Sequence, residues 1–286
     1  MTRLLAVTLP WPFEREYMQL ALIAGVVVGL CAPLVGTFLV QRRMSLMGDG
    51  MGHLAFAGVA LGSVLDVWPI WTALLLAVAG SILVERIRRR SRESGDLALA
   101  LIFYSGIAAG TVLLGLDHSL NANLVSYLFG SILTVSRADV ITVSVVGLLI
   151  VVVLGVAGRA LFALVIDDEA AEVAGLPVRM LNDVFAVLTA VTVVASMRVV
   201  GILLVSALMV LPVGAAQAMT KSFRGLLVVS SAIGSLCVAV GLIVARVQGL
   251  APGGTIVLLA AVTYAMSALV VPRLRARSSR TVVATH

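Results

Sequence analysis

Long apolar runs separated by short polar stretches dominate this chain from about residue 18 to residue 271. The runs are too long, and too uniformly apolar, for the alternating pattern of a half-buried strand, so each predicts a helix. A helix that crosses a bilayer core of about 30 Å needs about 20 such residues. The predicted spans are 18–40, 45–65, 67–84, 97–116, 139–158, 182–198, 200–218, 225–246 and 254–271.

Two of the divisions between these runs are very short, at 65–67 and 197–201. The pattern therefore predicts an all-α, polytopic membrane protein with eight or nine transmembrane helices. No repeat, low-complexity stretch or linker divides the chain, so residues 1–286 are interpreted as a single transmembrane domain. An N-terminal extension of about residues 1–17 precedes the first span, and its aromatic residues are expected to lie along the outer membrane interface.

The composition agrees with a membrane protein. The hydrophobic set makes up 61% of the residues and charged residues make up 12%, against about 45–50% and about 25% in soluble domains. The net charge of +6 does not indicate a nucleic-acid-binding protein, because aromatic residues are few and the basic residues lie in short runs between apolar spans. The lipid bilayer is the expected partner of this surface.

The positions of the basic residues predict the orientation, because short loops rich in Lys and Arg remain in the cytoplasm. If the loop at 85–96 is cytoplasmic, fifteen of the twenty basic residues lie on the same side, including those of the 159–181 loop and of the tail at 272–286. This arrangement places the N-terminus outside and the C-terminus inside the cell.

Asp49 and His53 are the most informative residues, because ionisable groups within an apolar span are costly and mark functional sites. They are four residues apart and therefore project from one face of a helix, with His53 near the middle of the bilayer. A carboxylate and an imidazole can both ligate a divalent cation. The alternative is that the two side chains bond to each other and serve helix packing.

Two ligands are too few for a metal site, since zinc usually takes four and manganese up to six. A twofold homodimer with this helix at its axis would bring together two Asp and two His. Glycines at small-residue spacing, such as the pairs Gly25/Gly29 and Gly58/Gly62, predict close helix packing within one bundle, with at least one pair available for a dimer interface.

A second signal lies in the loop 159–181, where Glu169, Ala170, Ala171 and Gly175 form an E-A-A-x-x-x-G string. Together with Asp168, these residues predict a short helix that ends at Gly175. The string resembles the coupling loop by which ABC importer permeases dock on their ATPase subunit. The alternative is an ordinary acidic surface helix.

Enzymatic functions are not indicated. The residues before the single lysine, Lys221, do not form a glycine-rich phosphate loop, so ATP hydrolysis would require a separate subunit. Asp49 lacks the second intramembrane Asp of an aspartyl protease, and no nucleophilic Ser faces a His. His118 is expected in an external loop, where a role in metal entry is the less favoured interpretation.

Taken together, several segments resemble the membrane subunits of bacterial ABC importers for zinc, manganese or iron(II). The strongest match is FLVQRRMSLMGDGMGHLAFAGVALG at 38–62, and the others are at 126–133, 166–178, 199–216 and 249–259. The resemblance implies a homodimeric permease in the bacterial inner membrane, an ABC ATPase subunit and an extracytoplasmic metal-binding protein. It also implies that Asp49 and His53 coordinate the transported ion, zinc or manganese, and that no cofactor is permanently bound.

The span at 200–218 contains a further set of candidates. Pro212 lacks a backbone N–H and should bend the helix, so that Gly201, Ser206 and Pro212 are predicted to line the pathway or to act as a hinge. The alternative is a tolerated bend. The alternative function for the whole chain is a stand-alone secondary transporter or channel for divalent cations, which would need no ATPase.

Overall fold

The computed structural model describes residues 15–90, 94–116 and 126–283. The regular secondary structure in these residues is helical throughout, as the apolar runs predict. The helices are α1 (Glu16–Gln41), α2 (Met47–Val64), α3 (Pro69–Arg90), α4 (Ser94–Leu116), α5 (Arg137–Ile166), α6 (Asp168–Val173), α7 (Val178–Ser196), α8 (Ile202–Met219), α9 (Phe223–Gln248) and α10 (Pro252–Val283), with a 3₁₀ turn at Ile132–Thr134.

Eight of the described helices are long and apolar enough to cross a membrane. The helix α2 is not among them because it carries Asp49, His53 and five glycines within its 18 residues. Twelve of those residues are buried, since α2 packs against α3, α4, α7 and α8. The one long helix that is not apolar enough to count as a membrane span therefore lies inside the bundle.

Both short divisions in the sequence are turns in the structure. The chain leaves α2 through residues 65–67 and reaches α3 at Pro69, where a proline in the first helical turn sacrifices no hydrogen bond. Residues 197–201 connect α7 to α8 in the same way. The described residues therefore contain nine long helices, of which eight have the length and composition of a membrane span.

The predicted boundaries differ from the structure around the 159–181 loop. The helix α5 continues to Ile166 because residues 160–166, after Arg159, are apolar, and Leu161 and Leu164 are buried. The segment between α5 and α7 is therefore shorter than the predicted loop, and it consists of the short helix α6 and the residues that flank it. At the C-terminus, the backbone of α10 continues through most of the predicted tail, to Val283.

At the N-terminus, residues 1–14 of the predicted extension lie outside the described residues. Tyr17 belongs to α1 instead, and its ring centroid lies 5.5 Å from the guanidinium carbon of Arg246. His118 also lies outside the described residues, so its expected position in an external loop stays a prediction.

Glycines set the spacing between helices, as their small-residue pattern predicts. A Cβ atom on Gly58 would lie 2.5 Å from the Cα of Ala73, and one on Gly29 would lie 2.9 Å from the carbonyl oxygen of Gly234. Contacts this close require glycine, since real Cβ atoms are not found at such distances. The pairs α2 with α3 and α1 with α9 therefore pack backbone against backbone.

Charged side chains gather at the two ends of the bundle, as the predicted orientation requires. Residues assigned to the same side of the membrane pair with one another. The ion pairs at the predicted cytoplasmic end are Arg42 with Asp168 and Arg89 with Asp183, and those at the predicted outer end are Arg198 with Asp139 and Arg137 with Glu16.

Candidate functional site

The site begins where α1 ends and the chain reverses into α2. Arg43 adopts a left-handed backbone conformation with φ of 57°, and the amide of Met44 donates to the carbonyl of Leu39 at 2.8 Å. This compact turn delivers Asp49 to the first turn of α2. A carboxylate is favoured there because the N-terminal end of a helix carries a partial positive charge.

Ser206 of α8 contacts the Asp49 carboxylate directly. Its Oγ donates a hydrogen bond to Oδ1 of Asp49. The approach is possible because Gly48, beside Asp49, has no side chain: a Cβ there would lie 3.3 Å from the Cβ of Ser206. The structure thus brings together two residues that were predicted separately, one as a metal ligand and one as a pathway residue.

His53 lies one turn further along α2. Its ring packs edge-on against Phe103 of α4, with ring centroids 4.3 Å apart, and its Nδ1 is buried without a hydrogen-bond partner among the described residues. The alternative in which Asp49 and His53 bond to each other is not what the structure contains, because Asp49 bonds to Ser206 instead. A buried imidazole nitrogen without a partner is available to a ligand.

Glycines hold the neighbouring helices close to His53. A Cβ on Gly106 of α4 would lie 2.9 Å from the backbone carbon of His53, and a Cβ on Gly52 would lie 3.0 Å from the carbonyl oxygen of Ile202 in α8. The face of α2 that carries the two ionisable residues is therefore bounded on both sides by backbone. Larger side chains at either glycine would displace α2.

One chain supplies a partial ligand set for a metal ion. The described residues contain no group of three or more His, Cys, Asp or Glu side chains close enough to hold a metal. A metal ion held by Asp49 and His53 would therefore need further ligands from water, from backbone or from a second chain.

The other two candidates in α8 occupy different settings. Gly201 precedes the helix with φ of 97°, and a Cβ there would lie 2.4 Å from the carbonyl oxygen of Leu128. Glycine is thus required both by the backbone conformation and by the close approach. Pro212 is buried inside α8, where it leaves the carbonyl of Leu208 without its usual helical donor. Their role as a hinge stays a prediction.

The predicted coupling segment forms α6. Asp167 caps this helix, accepting hydrogen bonds from the amides of Glu169 and Ala170 at 2.8 and 3.1 Å. Ala171 is buried, and Gly175 ends the segment with φ of 82°. The predicted short helix is therefore present, and the segment ends at Gly175 as expected, because glycine adopts the left-handed conformation at little cost.

The outer face of α6 is exposed to solvent. Glu169, Ala170 and Glu172 are all exposed, and Val173 is 90% exposed. This face therefore combines two carboxylates with the open apolar side chains of Ala170 and Val173.

Sequence reasoning missed two arginines, one buried and one half-buried, that organise the ends of the bundle. Arg42 bonds to Asn182 and Asp168, and Arg198 bonds to Asp139 at 2.8 Å and to the Tyr127 hydroxyl at 3.1 Å. Both were used only to assign the orientation. Their signal in the sequence is their position directly beside an apolar span, where an arginine must find a partner.

Comparison with known proteins agrees with the fold. Residues 14–271 match the ABC 3 transport family. The chain is 31% identical to the manganese import system permease protein ScaB of Streptococcus parasanguinis, over 92% of this chain and 93% of that protein. It is 27% identical to the manganese transport system membrane protein MntC of Listeria innocua, over 91% of this chain and 92% of that protein.

The fold is also similar to that of a solved structure, PsaBC from Streptococcus pneumoniae in complex with Fab. The TM-score is 0.82 with 30% sequence identity, and the match covers 92% of this chain and 94% of that chain. A match to nearly the whole chain, in sequence and in structure, leaves one assignment: this multi-pass membrane protein belongs to the ABC 3 transport family.

Proposed function

We propose that this chain carries a divalent transition-metal ion, manganese or zinc, across the bacterial inner membrane as the permease subunit of an ABC importer. Manganese comes first because the named relatives ScaB and MntC are manganese permeases. The alternative of a stand-alone secondary transporter or channel is not supported, because the ABC 3 transport family match covers residues 14–271.

The observation that carries the proposal is the face of α2 presented by Asp49 and His53. One oxygen of Asp49 is bonded to Ser206, and the Nδ1 of His53 has no partner among the described residues. A carboxylate and a neutral imidazole form a mixed oxygen and nitrogen ligand set, which suits manganese and zinc. The passing ion would be held transiently.

In the proposed assembly, two copies of the chain form the pathway. A twofold axis beside α2 would bring two Asp49 and two His53 side chains to one ion, for four protein ligands. An extracytoplasmic metal-binding protein would deliver the ion to this site, and a partner ABC ATPase would supply the energy.

The exposed face of α6 is the proposed contact with the ATPase. Val173 at 90% exposure would be covered by the partner, and the flanking Glu169 and Glu172 would meet basic groups. The same helix is predicted to be on the cytoplasmic side, where ATP is available.

The experiment that tests this function follows radiolabelled manganese and zinc entering cells that lack other uptake systems. Replacing His53 with Ala should reduce uptake of the transported metal to the background of cells without the chain. Ser63→Ala, a substitution further along the same helix, is the matched control and should leave uptake unchanged. Unchanged uptake of both metals in His53→Ala, with normal amounts of protein in the membrane, would contradict the proposal.

A further inference from the structure

The side chain of Arg42 links three helices at the predicted cytoplasmic end of the bundle. It follows directly after α1 and is 5% exposed. Its Nη1 donates to Oδ1 of Asn182 in α7 at 2.8 Å, and its Nη2 lies 3.4 Å from both carboxylate oxygens of Asp168 in α6. The guanidinium carbon also lies 6.0 Å from the centroid of the Phe185 ring.

Burial and the neighbouring charges hold the Arg42 side chain against Asp168. Burial lowers the pKa of Arg42, and Arg88 acts in the same direction, whereas Asp168 and Glu85 raise it. An arginine remains charged in all these circumstances. Moving Asp168 away would therefore leave a buried cation without its carboxylate, which is costly, so the two side chains are expected to move together.

Arg42 is also joined to the site by a short and rigid stretch of chain. Arg43 has a left-handed conformation, Met44 and Met47 are buried, and the amide of Met47 donates to the carbonyl of Met44 at 2.9 Å. The next turn begins α2 and carries Asp49. A displacement of Arg42 must therefore reach the start of α2.

The neighbouring ion pairs fasten different elements. Glu85 of α3 is 1% exposed and pairs with Arg88 and Arg89 of its own helix. Arg89 then donates to Asp183 at 2.5 Å and to the carbonyl of Arg179 at 2.7 Å. These contacts hold α3 to α7, whereas the pair of Arg42 with Asp168 joins α6 to the turn between α1 and α2.

An open cavity of about 410 Å³ lies beside this pair, lined by residues of the α1–α2 turn, of the end of α5 and of α6, together with Arg88 of α3. Space of this size beside α6 allows it to shift relative to the bundle without a clash. The contact with Arg42 is then a direct route by which such a shift reaches α2.

We propose that Arg42 is a positioning residue that transmits movement of α6 to the start of α2, and so to Asp49. This inference rests on the proposed function, in which an ATPase moves α6. When α6 moves, Asp168 draws Arg42 with it, the turn at 43–46 follows, and the Asp49 carboxylate shifts relative to Ser206. Arg42 itself does not contact the ion.

The test uses the complete complex in proteoliposomes and measures metal ions transported per ATP hydrolysed. Arg42→Gln and Asp168→Asn each remove one charge of the pair with little change in size. Each should lower this ratio about tenfold, within the range of coupling energies between sites, while ATP hydrolysis continues. The double variant should be no worse than either single variant, because both remove the same interaction. Arg42→Lys, which keeps the charge, should restore part of the ratio.

Arg43→Asn is the matched control in the same turn. Asn tolerates the left-handed conformation of this position, and the Arg43 side chain is exposed, so the ratio should not change. If Arg42→Gln does not fold, Asp168→Asn carries the test, since the Asp168 side chain is 31% exposed and the amide oxygen of Asn can still accept a hydrogen bond from Arg42.

A second measurement separates this inference from the proposed function. A spin label on Ala174→Cys, an exposed position at the end of α6 outside the proposed ATPase contact, reports the order of that helix whether or not the complex transports metal. The label should become more mobile in Arg42→Gln and Asp168→Asn, and not in Arg43→Asn. Unchanged label mobility, or an unchanged transport ratio in a complex that does transport, overturns the inference. A wild-type complex that fails to transport contradicts the proposed function instead.

Discussion

Ser206 of α8 donates a hydrogen bond to the carboxylate of Asp49 in the first turn of α2. The two residues are 157 positions apart in the chain, and their contact joins the helix that carries the ionisable pair to the helix that contains Pro212. The hydroxyl occupies one oxygen of a group that is proposed to bind the transported ion. Ser206 is therefore placed to orient the Asp49 carboxylate toward the proposed metal ion.

Ser206→Ala should weaken metal capture without abolishing it. The substitution removes a hydrogen bond that orients Asp49, and loss of such a supporting contact typically costs about 10–100-fold in metal affinity or activity. The KM for uptake should rise while the amount of folded protein remains normal. Ser235→Ala, which removes a buried hydroxyl without a partner among the described residues, is the control. An unchanged KM in Ser206→Ala would contradict the orienting role.

Asp49→Asn should eliminate transport. The amide keeps the size of the side chain and can still accept the hydrogen bond from Ser206, but it loses the negative charge that attracts a divalent cation. The control is Asp66→Asn in the turn after α2, where φ of 54° is a conformation that Asn adopts readily. Uptake should be lost in the first variant and preserved in the second. Retained transport in Asp49→Asn would exclude the carboxylate as a ligand.

Acidifying the external medium should weaken metal capture. A ligating imidazole must be neutral and a ligating carboxylate ionised, so protons compete with the ion for both groups. Initial rates of manganese uptake, measured at a fixed metal concentration across a pH series, should fall as the pH is lowered. The fall should be smaller in any His53→Gln variant that retains measurable uptake. An identical pH profile in that variant would show that His53 is not the titrating group.

Val173→Asp should prevent association with the ATPase. The side chain is 90% exposed, so the substitution does not disturb the bundle, but it places a charge at the centre of the proposed contact. Co-purification with the ATPase should be lost. Leu65→Asp, at an exposed position in the turn after α2 and therefore at the opposite end of the bundle, is the control. Equal co-purification of both variants would argue against docking through α6.

Gly58→Ala should destabilise the bundle, because its Cβ would lie 2.5 Å from the Cα of Ala73 and backbone cannot move aside cheaply. Overpacking of this kind costs about 1–3 kcal/mol. Gly155→Ala in α5 is the matched control, since no atom lies within 4 Å of its added Cβ and Ala is the better helix former. Thermal unfolding in detergent should show a lower midpoint for the first variant only. A midpoint for Gly58→Ala that matches the unmodified protein would contradict the close packing of α2 on α3.

Much of the fold could be predicted from the sequence, because a membrane-spanning helix is recognisable from its own run of about 20 apolar residues. The runs of apolar residues predict the long helices, and the two turns at 65–67 and 197–201 fall where they are expected. The short helix α6 could be predicted for the same reason, since glycine at position 175 is a strong local signal for the end of a helix. The predicted end of α5 was less accurate because residues 160–166 are apolar after Arg159, and one charged residue does not end the helix before Asp167.

The candidate site could be predicted only in part. Asp49 and His53 stand out because ionisable residues in an apolar helix are rare, and their shared face follows from their spacing. The partners Ser206 and Phe103 could not be inferred, because nothing in the order of residues says which helices α2 touches.

The sequence by itself determined that this chain is a helical membrane protein with a carboxylate and an imidazole on one helix face, and it predicted the orientation from the basic residues. Only the tertiary structure decided that Ser206 meets Asp49, that His53 lies against Phe103 and that Arg42 joins α6 to α2. The physical reason is that lipid is as apolar as the helices, so hydrophobicity does not specify neighbours. Backbone contacts at glycines and a few buried polar bonds select them, and each depends on two helices at once.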